Sequence, residues 1–240
     1  PMKRTDFTLK PSLIAMLAAA TLLTACGGDD DDTVVVTPPA PVMQTFTVTV
    51  TNLTANQPMS PVILASHASD AMLWNAGEMA SEALEKMAEG GDTADIAALS
   101  VINSSVNGTG LLMPGMSETL TLTLDEADVA SISLATMLVN TNDAFTGINS
   151  YTIAGMEVDA TTAMKFMAYD AGTEANSEAK GTMPGPADGG EGFNASRDDV
   201  DFVHIHPGVI SMYDGLTDSV LGASHRFDNP VLAVTIMRTE

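Results

Sequence analysis

Phe46-Thr47-Val48-Thr49-Val50-Thr51 and Leu120-Thr121-Leu122-Thr123-Leu124 alternate apolar and hydroxyl side chains with a strict period of two. Successive side chains of a strand point to opposite faces, so each stretch reads as a strand with one face on a core and the other in water. Further short runs follow the same logic: Ile132 to Val139, Tyr151 to Ile153, Met164 to Ala168, Asp201 to Ile205 and Val231 to Met237, divided by Gly, Asn, Asp and Pro. Many short strands and few helices predict a mainly β chain. The expected architecture is an antiparallel β-sandwich over residues 44–240, with one or two short helices inserted near its N-terminal part.

The period changes between Asp70 and Gly91, where Trp74, Met79, Ala83, Leu84 and Met87 recur at three- and four-residue steps among acidic side chains. That spacing predicts an amphipathic helix stopped by Gly90-Gly91, with Asp92 capping a second one through Asp95 to Leu99. The methionines on this face read as core packing, since a flexible thioether fills irregular gaps. Residues 172–199 hold few bulky apolar groups and much Gly, Asp and Glu, and predict a long exposed loop.

At the start, Lys3, Arg4 and Lys10 precede an apolar run from Leu13 to Leu23 that ends Leu23-Thr24-Ala25-Cys26-Gly27. A basic region, a short apolar stretch and small residues before a Cys are the pattern of a lipoprotein signal, with residues 1–25 removed and Cys26 acylated. Each buried methylene of such an anchor contributes ~0.8 kcal/mol to membrane attachment. Residues 26–43 read as a flexible acidic and Pro-rich linker. Gly27 after the acylated Cys points to the outer membrane, so the expected location is the cell envelope, on its periplasmic or surface face. Cys26 is the single Cys of the chain, which leaves no disulfide within it. Thirty-one acidic residues against nine basic ones, a formal charge of −22, exclude nucleic acid as a partner and favour cations at the surface.

Two loops carry the chemistry. One runs from Asn140 to Asn149 and contains Asp143; the other, Tyr169-Asp170-Ala171-Gly172-Thr173-Glu174, is followed by Glu178. Counting strand directions places both loops, and the start of the strand at Glu118, at one end of the sandwich. Carboxylates gathered there repel one another unless a hard cation wanting six to eight oxygens neutralises them. Calcium suits Asp143, Asp170, Glu174, Glu118 and the amide oxygen of Asn149; turn-capping and solvated side chains are the plainer account. His204-Ile205-His206 sets two imidazoles on one strand face, with His225 or His67 as a third ligand, which suits zinc and an alternative reading as a zinc-dependent periplasmic hydrolase. Neither a nucleophile elbow nor a phosphate loop is present, and no residue stands out as catalytic.

Phe46 to Thr54, Ala88-Glu89-Gly90-Gly91-Asp92-Thr93, Met137 to Phe145 and Tyr169-Asp170-Ala171-Gly172-Thr173-Glu174, in that order, resemble the spondin domain, the N-terminal module of the F-spondin and mindin group. The resemblance implies a C2-like β-sandwich with a calcium site at one end. It implies adhesion or recognition, with an extracellular glycan or protein as ligand, rather than catalysis; a structural part in an envelope assembly is a separate, plainer alternative. On the matching positions Asp143 and Asp170 are the foremost ligands. Animal members carry cysteines, and an aromatic follows the Asp of the first loop, where this chain has Ala144.

Overall fold

The computed structural model describes residues 40–240. The expected signal segment, Cys26 and the expected linker up to residue 39 lie outside the described residues.

Strands β1 (Met43–Asn52), β4 (Ser117–Asp125), β7 (Thr161–Phe166) and β10 (Leu232–Arg238) form a four-stranded antiparallel sheet in the order β4-β1-β10-β7. Strands β2 (Ile63–His67), β3 (Ile102–Asn107), β5 (Ser131–Met137), β6 (Ala144–Thr152), β8 (Ala168–Asp170) and β9 (His204–Ile205) form a six-stranded one, in the order β3-β2-β5-β6-β8-β9. The chain is mainly β, and the two sheets pack as a sandwich. Phe46, Val48 and Val50 of β1 and Leu120, Leu122 and Leu124 of β4 meet Ile132, Leu134 and Ile148 of the larger sheet in one core. Each such side chain contributes roughly 1.5–3 kcal/mol on burial. The alternate positions of β1 and β4 face outward, where Thr49 and Thr119 pair through their hydroxyls at 2.8 Å and Thr51 and Ser117 at 2.7 Å.

The larger sheet is covered on both faces. Every residue of β2 and β5 is buried. On the side away from the smaller sheet, Ile63, Ala135, Met137 and Phe145 pack against Leu73, Trp74, Leu84, Met87, Ile96 and Val203, a third layer that a plain sandwich lacks. This explains why β2 escapes the sequence reading: Ile63-Leu64-Ala65-Ser66-His67 has no exposed face and so no alternation, whereas β3 is a partly exposed edge strand of mostly small polar residues.

The helical segment is shorter than its periodicity predicts. Helix α1 is Glu82–Gly90 and α2 is Ala94–Ala97. Ser81 caps α1 by accepting a bond from the Leu84 N–H at 3.2 Å, and Gly91 closes it in the left-handed conformation, as the Gly pair predicts. Asp92 Oδ1 accepts the Ala94 N–H. Residues 68–81 are not helical because other partners hold their backbone: Leu73 N–H donates to Asn149 Oδ1, Asn149 Nδ2 donates to the Trp74 carbonyl, and Gly77 N–H donates to the Val203 carbonyl. Met79, expected on the core face, is exposed.

Two further readings change. The loop expected from Asn140 to Asn149 is only the turn ending at Asp143, and β6 starts at Ala144. The run from Met164 to Ala168 is two strands, for the chain leaves the smaller sheet after Phe166 and joins the larger one at Ala168. Residues 171–203 contain no helix or strand; Thr173, Glu178 and Met183 are buried, so the first half of the expected 172–199 loop packs against the domain, whereas residues 186–199 include no buried residue.

Candidate metal centre

The β5–β6 turn and the end of β8 meet because β6 and β8 are paired, with Ala144 opposite Asp170. Asp143 and Asp170 are thereby neighbours, and neither has any exposure. Asp143 Oδ2 accepts bonds from the Thr173 N–H (2.8 Å), the Thr173 hydroxyl (3.3 Å) and the Glu174 N–H (3.1 Å). Its other oxygen, Oδ1, is buried without a hydrogen-bond partner. Burial first, and the Asp170 charge second, push the Asp143 carboxyl up to about 8. An orphaned acceptor beside a second carboxylate is costly unless a proton or a cation joins them.

Asp170 is held from three sides. Its Oδ1 accepts the Gly172 N–H at 2.8 Å and lies 3.3 Å from His204 Nε2 across the β8–β9 pair; its Oδ2 accepts from Asn176 Nδ2 at 2.7 Å. Behind Asn176 stands His206. The Gly208 N–H donates to His206 Nδ1, so the proton sits on Nε2, which donates to Asn176 Oδ1 at 3.1 Å. Burial pushes this imidazole down to about 4, leaving it neutral. Both nitrogens of His206 are therefore spent on orienting Asn176, and the pair His204–His206 does not converge on one ion. His67 is buried elsewhere, between Ser133 Oγ (2.7 Å) and the Ala68 carbonyl (2.8 Å), and His225 accepts the Gly222 N–H.

The remaining acids separate. Glu174 shares the site through its N–H; burial first and the Glu89 charge second raise its carboxyl to about 8. Glu118 is on β4, where its Oε1 accepts the Thr109 N–H at 2.9 Å. β4 lies against β3, and β2, β5 and β6 stand between β3 and β8, about 19 Å of sheet at about 4.8 Å per strand. Asn149 lies inside β6 and spends its amide on Leu73 and Trp74. Neither Glu118 nor Asn149 joins Asp143 and Asp170.

One acid missed by sequence reading does join: Asp199, whose Oδ2 is 3.8 Å from His204 Nε2. Asp170, Asp199 and His204 offer ligand atoms that all lie within 4.8 Å of one another. Asp199 is positioned by its neighbours. Arg197 pairs with Glu85 and Asp201 at 2.6 Å each and donates to the Ala80 carbonyl, and the Asp198 N–H donates to the Thr173 carbonyl. The β5–β6 turn fastens the same long segment: Asn142 donates to Thr182 Oγ1 and accepts the Glu178 N–H, and Asn140 Oδ1 accepts the Ala187 N–H.

The family model for the spondin N-terminal domain, Spondin_N, matches residues 49–183, more than half of the 240-residue chain, and the chain belongs to that family. Asp143, Asp170 and Glu174 fall inside the matched span, whereas Asp199, His204 and His206 fall beyond it. A search of curated proteins finds none that matches.

Proposed function

We propose that this chain is a lipid-anchored protein of the cell envelope, carried on the outer membrane, whose spondin domain is a calcium-dependent adhesion or recognition module for an extracellular glycan or protein ligand. Family membership supports the recognition role. The observation that carries the calcium is the buried Asp143 Oδ1, which has no hydrogen-bond donor and adjoins Asp170. The donor set fits a hard cation: two buried carboxylates held by fixed backbone and amide donors, with the Arg197 guanidinium already paired to Glu85 and Asp201. Calcium there replaces the proton that Asp143 otherwise retains and removes the repulsion between the two carboxylates.

Thermal unfolding in millimolar calcium and in chelator tests this reading. A ligand that binds only the native state adds ~2.7 kcal/mol at a hundredfold excess over its dissociation constant. The melting temperature therefore rises with calcium, and less with magnesium, which demands a tight octahedron and gives up water reluctantly. Identical curves in calcium and chelator overturn the calcium site. The anchor is tested separately: Cys26→Ser abolishes palmitate labelling and releases the protein from membranes.

A further inference from the structure

We propose that Asp170, Asp199 and His204 form a second site, for a divalent transition metal of the zinc, cobalt and nickel class, with His204 binding through Nε2. His204 Nδ1 lies 3.1 Å from the Ile205 carbonyl oxygen, which can only accept, so Nδ1 carries a proton. That is the arrangement by which metal-binding imidazoles are held in one tautomer, and it turns the Nε2 lone pair toward the other two residues. What Nε2 meets there is two acceptors: Asp170 Oδ1 at 3.3 Å and Asp199 Oδ2 at 3.8 Å. A lone pair facing two carboxylate oxygens is unfavourable unless a cation stands between them, whether a second proton on the ring or a metal ion.

The spacing discriminates. Ligands at about 2.1 Å from a tetrahedral ion lie about 3.4 Å from one another, close to the separations His204 keeps from Asp170 and Asp199. One imidazole with two carboxylates is a borderline donor set, suited to zinc-class ions and poor for calcium, which takes oxygen. The arrangement is also built rather than incidental. The β8–β9 register sets His204 opposite Asp170, the relay from Gly208 through His206 and Asn176 fixes Asp170, and the Arg197 clamp brings Asp199 to them. Next to Asp170, across the β6–β8 pair, lies the fully buried Asp143, whose Oδ1 has no hydrogen-bond partner. The His204 and Asp199 side chains keep 29% and 22% exposure, enough for an ion to enter and retain water. The inference shares Asp170 with the calcium reading but does not rest on it.

Cobalt(II) added to the full chain, followed by visible absorption and by the ring-nitrogen NMR signals of the histidines, tests the site. The expected result is one equivalent of ligand-field absorption displaced by zinc, with a shift confined to His204. Affinity falls about a hundredfold or more in His204→Ala and in Asp199→Asn, and is unchanged in His225→Ala. Absence of the bands in folded protein, their survival in both variants, or a His204 ring that takes up a proton but no metal overturns the inference. A calcium-induced rise in melting temperature in protein that takes up no cobalt overturns this site alone. Cobalt uptake without any calcium effect overturns the calcium reading alone.

Discussion

Asp170 stands opposite His204 in the β8–β9 ladder, and its fully buried carboxylate meets the imidazole Nε2 at 3.3 Å. β9 is a two-residue edge strand, so what it contributes to the sheet is chiefly this contact and the one between Tyr169 and Ile205. On its other side Asp170 adjoins Asp143, across the β6–β8 pair. One buried carboxylate thus lies between Asp143 and the His204 imidazole.

Asp143→Asn replaces a carboxylate pair with an amide facing Asp170. The calcium-dependent rise in melting temperature disappears, while the metal-free protein becomes more stable, because an amide N–H satisfies the oxygen it meets. Differential scanning calorimetry of the variant in calcium and in chelator checks both halves. A variant that keeps the full calcium increment contradicts the assignment.

The pH dependence has a definite sign. Asp143 keeps its proton in the folded protein up to about 8 but loses it near 3.8 when unfolded. The unfolded state therefore releases this proton first, and metal-free stability falls as pH rises between about 4 and about 8, then levels, a loss on the order of 3–5 kcal/mol. Glu178, raised by burial to about 7, and Glu174 act in the same direction. His206, depressed from 6.5 to about 4, acts oppositely, lowering stability as pH falls through that window. The difference in melting temperature between Asp143→Asn and wild type isolates Asp143: it grows from pH 5 to pH 8 in chelator and is flat if Asp143 titrates normally.

Asn142→Ala removes the acceptor of the Glu178 N–H and the donor to Thr182 that hold residues 171–203 against the β5–β6 turn. Leaving such buried groups unpaired costs about 1–3 kcal/mol. Limited proteolysis is expected to cut first between residues 172 and 199 in the variant. Cleavage no faster than in wild type would show the tether to be dispensable.

Gly172→Ala disrupts the centre through the backbone that holds Asp170. Gly172 has φ +71°, and a Cβ there would lie 2.2 Å from the Phe202 carbonyl oxygen, in the segment that carries Asp199 and His204. A non-glycine residue in a left-handed conformation costs roughly 1–2 kcal/mol before the clash is added. The expected outcome is a folded but less stable protein with weakened calcium and cobalt binding; unchanged binding of both ions would show that the 199–204 segment accommodates the methyl group.

The sandwich is legible in the sequence at β1 and β4, where one face is wet and the other dry, so Phe46 to Thr51 and Leu120 to Leu124 record their orientation residue by residue. The meeting of Asp143 and Asp170 is also legible, because short connections oblige consecutive strands to reverse direction and bring those two segments to one end. Periodicity is silent where both faces are buried, which hides β2 and the layer over the larger sheet; β3 escapes because it is a half-exposed edge strand of mostly small polar residues. It is silent, too, on lateral order. Glu118 shares an end with Asp143 but sits at the far edge, and only the strand sequence β3-β2-β5-β6-β8-β9 reveals the distance. Asn149 and His206 have side chains whose partners lie far away in the chain, Leu73 and Trp74 for the first and Asn176 for the second; Asp199 and His204 are near neighbours in sequence, and what brings them to Asp170 is the β8–β9 pairing. Local pattern reports how much of a residue is buried; non-local strand pairing chooses what it touches, and the chemistry of this centre depends on the latter.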